Sequence, residues 1–222
     1  MKKLKLLLLS VLLIIATTGM AHIAMANTIA LTFTGGAPVT YVDNPLPNTI
    51  GWEFGLAAPV TVTQLGFYDV GPVDQSTYWP TWVGPDGDGL IANHNVAIWD
   101  VNSQNQMVSA VVTMSAPLDQ GFRWVSVSPT TLGAGTYRIG ALVNDNDWYF
   151  YDTSTQTTAS PVSYVGGVYL LGGFAYPEEI SYANYGRFGP DFQFNQVPIP
   201  GAVWLLGSGL LVLAGLRRFR KN

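Results

Sequence analysis

Glycine and proline interrupt this chain so often that they leave little room for helices between its two ends. The sequence holds 24 glycines and 14 prolines, and β-branched and aromatic residues fill the short stretches between them. No window in residues 27–196 keeps apolar residues at helical spacings of three and four. Short runs bounded by turn residues are typical of strands. We therefore predict one all-β domain at residues 27–196, a β-sandwich of jelly-roll type.

The order of apolar and polar residues also predicts local features of the β domain. In residues 60–69 the apolar positions change register near Thr63 and Gln64, which indicates a β-bulge. Residues 94–101 and 107–114 form a predicted hairpin, and residues 153–160 are predicted to be a polar loop. Trp52, Trp99 and Trp124 lie on predicted strands and are expected in the core. The predicted strands are residues 28–34, 50–56, 60–69, 94–101, 107–114, 121–127, 135–143, 148–151, 163–170 and 187–194.

The first 26 residues have the three parts of a secretory signal peptide. Three lysines among the first five residues precede an apolar stretch at residues 6–16, which is too short to span a bilayer as a helix. Ala24 and Ala26 then frame an A-x-A cleavage site. We predict a signal-peptide helix at residues 1–26, cleavage by signal peptidase, and export of a mature chain that begins at Asn27.

The last 26 residues, 197–222, combine an accessible proline motif, an apolar stretch and a basic tail. Pro198 and Pro200 cannot continue a helix upstream, so they should present an extended segment that a processing enzyme could bind. Residues 197–216 are long enough for a transmembrane helix. The positive-inside rule keeps the following cations in the cytoplasm. These basic residues are Arg217, Arg218, Arg220 and Lys221.

This ordered tail, beginning Val197-Pro198-Ile199-Pro200, resembles the PEP-CTERM class of bacterial sorting signals, in its variant that begins Val-Pro-Leu-Pro-Ala. The resemblance implies an exosortase-type sorting peptidase as partner and transient membrane anchoring through the C-terminal helix. It also implies a mature form at the envelope or outside a Gram-negative bacterium that makes exopolysaccharide. Ile199 and Gly201 depart from the class pattern and leave the cleavage point open. An ordinary tail anchor is the alternative.

A second resemblance concerns the central domain. Segments 50–54, 62–66, 94–100 and 132–137 are similar to a family of small β-sandwich domains of unknown function in secreted bacterial proteins. That family implies no activity, so the resemblance bears on the fold alone.

The domain between the two ends is strongly acidic. Residues 27–196 hold all 14 carboxylates of the chain against three cations, Arg123, Arg138 and Arg187, which gives a net charge of −11. This charge argues against nucleic acid and anionic lipid as partners, and it is compatible with divalent cations. The chain has no cysteine, which excludes thiol catalysis and cysteine-ligated zinc.

The segment 71–89, together with the neighbouring Asp69, offers two candidate sites. Asp69, Asp86 and Asp88 are candidate calcium ligands, since calcium prefers clustered carboxylate and carbonyl oxygens. The pattern lacks the third acidic or amide residue and the distal glutamate of a full calcium loop, and aspartates that only form turns are the alternative. No other cofactor is predicted.

The second candidate in this segment is a ligand platform formed by Tyr78, Trp79 and Trp82. Three aromatic side chains around Pro80 could stack on sugar rings or anchor a protein partner. A lid that folds back onto the sandwich is the alternative.

Catalysis is not expected. His94 is the one histidine of residues 27–196, it begins a predicted strand, and no G-x-S-x-G motif accompanies it. Glu178 and Glu179 could pair with an aspartate as in glycosidases, but residues 177–179 resemble a loop turn. The sequence favours a non-catalytic structural or adhesion protein of the extracellular matrix. The alternatives are a carbohydrate-binding module that contacts exopolysaccharide, with or without calcium, and a secreted hydrolase.

Overall fold

The protein is all-β throughout the part of the chain that the structure describes. The computed structural model describes residues 27–34, 37–39, 47–69, 73–74, 81–82, 90–143, 147–151, 155–181 and 186–197. Within these residues every strand pairs antiparallel and no helix is present. The strands are β1 (Thr28–Ile29), β2 (Leu31–Thr34), β3 (Ala37–Val39), β4 (Asn48–Leu56), β5 (Val60–Tyr68), β6 (Val73–Asp74), β7 (Thr81–Trp82), β8 (His94–Asp100), β9 (Gln106–Val112), β10 (Leu118–Asp119), β11 (Phe122–Leu132), β12 (Gly135–Val143), β13 (Tyr149–Tyr151), β14 (Thr155–Thr158), β15 (Val162–Leu171), β16 (Glu179–Ile180), β17 (Arg187–Phe188) and β18 (Pro190–Gln196).

Two large sheets and one small sheet organise these strands. The five-stranded sheet has the order β1-β18-β5-β11-β10, and the six-stranded sheet has the order β16-β15-β4-β12-β8-β9. A small sheet, β17-β13-β3, is called the side sheet below. Two strand pairs, β14–β2 and β6–β7, complete the pairing in the described residues.

The hydrophobic core lies between the two large sheets. Trp52 of the six-stranded sheet stacks on Phe192 of the five-stranded sheet, with ring centroids 6.0 Å apart, and Phe54 packs on the same phenylalanine at 4.8 Å. The indole N–H of Trp52 donates to the backbone oxygen of Pro190 at 2.8 Å, so its polar atom is satisfied although the side chain is fully buried. These contacts join the two sheets around one core.

Residues 172–181, which we call the strap, cross the outer face of the six-stranded sheet and then join its edge as strand β16. Thr49 of β4 donates its hydroxyl to the backbone oxygen of Gly173 at 2.6 Å. The ring of Phe174 packs on Trp99 of β8, with centroids 5.4 Å apart. The strap explains why both faces of β4 and β8 are largely buried, instead of alternating between buried and exposed residues as in a sheet with one solvated face.

Most sequence predictions of local structure are confirmed. The predicted bulge lies at Thr63, because Gln64 pairs with Gln193 while Val62 pairs with Phe194. The predicted hairpin forms between β8 and β9, and the three tryptophans expected in the core are buried. One prediction is wrong. The polar loop at residues 153–160 contains strand β14, which pairs with β2.

Candidate functional site

Asp69, a predicted calcium ligand, is a buried carboxylate that pairs with the partly buried Arg123. Arg123 donates from Nε to Asp69 Oδ2 at 2.6 Å, and it donates from Nη1 to the backbone oxygen of Ala116 at 2.9 Å. The Asp69 side chain is 1% exposed. Its observed contacts join the end of β5 to β11, so its assignment to a calcium site stays a prediction.

Among the other residues of the two candidate sites, the structure describes only Trp82. Asp86, Asp88, Tyr78 and Trp79 lie outside the described residues. Trp82 lies in β7 and pairs with Val73. Within the described residues no group of three or more histidine, aspartate or glutamate side chains could hold a metal ion.

The terminal predictions also fall largely beyond the described part of the chain. Val197 is described and is 39% exposed. No helix of the described residues is long and apolar enough to cross a membrane. The remaining terminal predictions lie outside those residues, namely Ala24, Ala26, Pro198, Ile199, Pro200, Arg217, Arg218, Arg220 and Lys221.

His94 is held rigidly in the interior by its neighbours. Nδ1 lies 2.8 Å from the backbone oxygen of Leu142, and Nε2 lies 2.9 Å from Asp147 Oδ2. Phe67 stacks on the imidazole at a centroid distance of 3.8 Å. The side chain is 1% exposed. A histidine with both nitrogens engaged and its ring covered is suited to a structural role, as its place at the start of a strand suggested.

An open groove beside the side sheet is the most promising ligand site in the described residues. It has a volume of about 370 Å³, which falls within the range of roughly 300–1,000 Å³ that is usual for ligand clefts. Ile180 at its rim is 60% exposed. The groove is lined by Tyr151, Tyr169, Ile180, Ser181 and Arg187.

Arg187 lies at the centre of this groove. Its guanidinium carbon lies 4.4 Å from the ring centroid of Tyr169 and 5.4 Å from that of Tyr151, so both rings make cation–π contacts with it. Nε donates to Ser181 Oγ at 3.2 Å, and Nη1 donates to the Tyr149 hydroxyl at 3.1 Å. These contacts hold the guanidinium and the two rings in one fixed arrangement.

Strand alternation explains how the groove forms. Tyr151 and Arg187 are directly opposite each other in the β13–β17 pair, as are Phe150 and Phe188. Successive side chains point to opposite faces of a sheet. The two phenylalanines are 2–3% exposed and belong to the core, so Tyr151 and Arg187 face the other way, where Tyr169 of β15 meets them.

The chemistry of the groove suits binding. The partly exposed tyrosine rings offer apolar surface, while the guanidinium and the hydroxyl of Ser181 offer polar groups for hydrogen bonding. Its described lining contains no carboxylate, imidazole or thiol, which are the usual general acids, bases and nucleophiles. No motif in the sequence predicted this site. The signals available were the tyrosines at alternate positions 149 and 151 and the scarcity of cations in the domain.

Residues 27–196 contain only three cations, all of them arginines, so their environments can be compared directly. Arg123 pairs with Asp69, and Arg138 donates from Nε to Glu53 Oε2 at 2.7 Å. Both of these ion pairs lie within the fold, whereas Arg187 lines the open groove.

Comparison with protein-family models finds no match for this chain, and a search of curated proteins finds no similar sequence.

Proposed function

We propose that this chain is an exported, non-catalytic protein of the bacterial cell envelope that contributes to adhesion by binding polysaccharide in the Tyr151–Arg187–Tyr169 groove. The observation that carries the proposal is the pair of tyrosine rings held around a guanidinium in an open cleft. Flat aromatic faces fit the apolar faces of sugar rings, and the polar groups beside them fit sugar hydroxyls. Within the proposal, the domain is a β-sandwich of jelly-roll type, which the packing of the two large sheets supports.

The envelope location rests on the two ends of the sequence. The basic start, apolar stretch and A-x-A site indicate export. The tail that resembles PEP-CTERM signals suggests processing by an exosortase-type peptidase and release of the domain from the membrane. An acidic domain with a net charge of −11 is compatible with solubility outside the cell.

The non-catalytic assignment is supported by the positions of the groups that could do chemistry. In the interior, Nδ1 of His94 contacts the backbone oxygen of Leu142 and Nε2 contacts Asp147. Glu53 contacts Arg138, and Asp69 contacts Arg123. None of these groups lines the groove. A groove whose described lining contains none of these groups favours adhesion over hydrolysis.

Affinity electrophoresis of the full chain, in gels that contain exopolysaccharide from the producing bacterium, tests the binding proposal. The unsubstituted protein should be retarded by the polymer. Tyr169→Leu and Tyr151→Leu keep apolar packing and remove an aromatic ring, so each should weaken retardation by about two- to tenfold. Val165→Ala is the control, because Val165 is exposed on the same strand as Tyr169 and does not line the groove.

Two outcomes would contradict the proposal. The first is a protein that migrates identically with and without polymer. The second is equal retardation of the control and the two tyrosine variants when all of them are folded, as judged by chemical denaturation.

A further inference from the structure

Arg138 lies within the fold, but its contacts lead toward the groove. Its guanidinium carbon lies 4.9 Å above the ring centroid of Tyr176 in the strap. Nη1 donates to the backbone oxygens of Pro177 at 2.5 Å and Glu178 at 3.0 Å, while Nε donates to Glu53. One side chain of β12 therefore binds β4 and three consecutive residues of the strap.

The strap continues directly from this anchor into the wall of the groove. Glu179 and Ile180 form β16 and pair with Tyr169 and Val168 of β15. The backbone N–H of Ser181 donates to the backbone oxygen of Gly167 at 2.8 Å. The next contact is the hydrogen bond from Arg187 to the hydroxyl of Ser181.

We infer that Arg138 is a positioning residue for the groove, acting through the strap on Ser181 and Arg187. The inference rests on the proposed function, since it concerns the affinity of the same groove. Strand β16 has only two residues, and its residues 179 and 180 are exposed. Such a short edge strand has little packing of its own, so the bonds from Arg138 to residues 177 and 178 are needed to fix its position.

The Tyr176 ring is suited to this anchor because its hydroxyl stays neutral. Burial, the largest effect, raises the pKa of Tyr176 above its ordinary value, although the nearby Arg138 charge acts in the opposite direction. A neutral ring presents its negative face to the guanidinium.

Hydrogen exchange and affinity electrophoresis on the full chain test the inference together. Arg138→Met removes two hydrogen bonds to the strap, whose net worth is small because water replaces them. It should speed exchange of the Ser181 amide by about three- to tenfold, and it should weaken retardation by the exopolysaccharide by a similar factor. Arg123→Met is the matched control, because it removes a partly buried arginine of the five-stranded sheet that likewise binds a carboxylate and a backbone oxygen. It should leave both the Ser181 amide and the retardation unchanged.

A second variant covers the case in which Arg138→Met does not fold, since that change leaves Glu53 without its arginine. Tyr176→Leu removes the ring beneath the guanidinium and keeps the ion pair, so it should change both measurements in the same direction by a smaller factor. In a Ser181→Ala background, either strap variant should have little further effect on retardation, because residues that act through one another are not additive.

The results separate the inference from the proposed function. Unchanged Ser181 exchange in both strap variants, or equal effects in Arg123→Met, would overturn the role of Arg138. Faster exchange with unchanged retardation would show that strap order does not matter to the groove, and it would also overturn that role. If the unsubstituted protein is not retarded, the proposed function fails and the affinity role of Arg138 fails with it, whereas the exchange result still shows whether Arg138 orders the strap.

Discussion

Asp191 places a carboxyl group in the interior and gives the stability of the fold a specific pH dependence. The residue is 0% exposed. Its oxygens accept hydrogen bonds from the backbone N–H groups of Phe192 at 2.7 Å and Leu31 at 3.3 Å. Desolvation outweighs both bonds and raises the pKa of Asp191 well above its usual range. The folded protein therefore keeps this carboxyl protonated at pH values where an unfolded chain would ionise it.

The sign and size of the effect follow from proton linkage. In the unfolded chain Asp191 ionises with a pKa of about 3.9, and below that pH it is protonated in both states. Above that pH, release of the proton lowers the free energy of the unfolded chain, while the folded protein retains its proton. The free energy of unfolding should fall by about 1.4 kcal/mol per pH unit. The loss stops once the pH passes the raised pKa of the folded state, because both states are then ionised.

Asp191→Asn removes this pH dependence. The amide oxygen can still accept from Phe192, but the amide NH₂ group would face the N–H of Leu31, which costs about 1 kcal/mol. The variant should be less stable than the natural sequence near pH 4 and more stable at neutral pH. The two stability curves should cross about one pH unit above the pKa of the unfolded state.

Urea denaturation of the full chain, between about pH 4 and pH 8, measures the difference between the two proteins at each pH. Because other titrating groups are common to both, the difference isolates Asp191. Asp119→Asn is the control, because it makes the same change from carboxyl to amide at an exposed position. A difference between Asp191→Asn and the natural sequence that stays constant across this pH range would refute the reasoning.

Of two further predictions, one concerns a close contact between two strands and the other concerns the C-terminal proline motif. Gly51→Ala should destabilise the protein by about 1–3 kcal/mol, because the added Cβ would overlap the backbone oxygen of Ile139. Gly133→Ala is its control, with no atom within 4 Å of the added Cβ, and equal urea midpoints for the two variants would contradict the steric argument. Replacing both Pro198 and Pro200 with alanine should leave the full-length protein in the membrane fraction of the producing bacterium, as immunoblotting would show, and normal trimming of this variant would disprove the sorting hypothesis.

The strands could be predicted because their signals are local. Alternating apolar residues set the face that each strand buries, and glycine or proline marks where it ends. The bulge at Thr63 was visible for the same reason, since one extra residue shifts the apolar alternation of β5. The β8–β9 hairpin needs only a short loop between two neighbouring runs.

Strand β14 shows where local signals fail. Its residues, Thr155–Thr158, are polar and have no apolar alternation that would distinguish a strand from a loop. They form a strand because β2 provides a partner, with Thr157 paired to Thr32. That partner lies 125 residues away along the chain, so nothing near Thr157 in the sequence indicates it.

The sequence by itself determined the all-β class, the acidic charge of the domain and the composition of its ends, because these depend on residue type and local order. Only the tertiary structure decided which residues form the groove. Tyr151, Tyr169 and Arg187 meet because β13 pairs with β17 and because β15 lies beside them, and strand partners are chosen by packing across the whole domain. The same packing gives arginines different roles, since it pairs Arg138 with Glu53 within the fold and places Arg187 between two tyrosine rings in an open cleft.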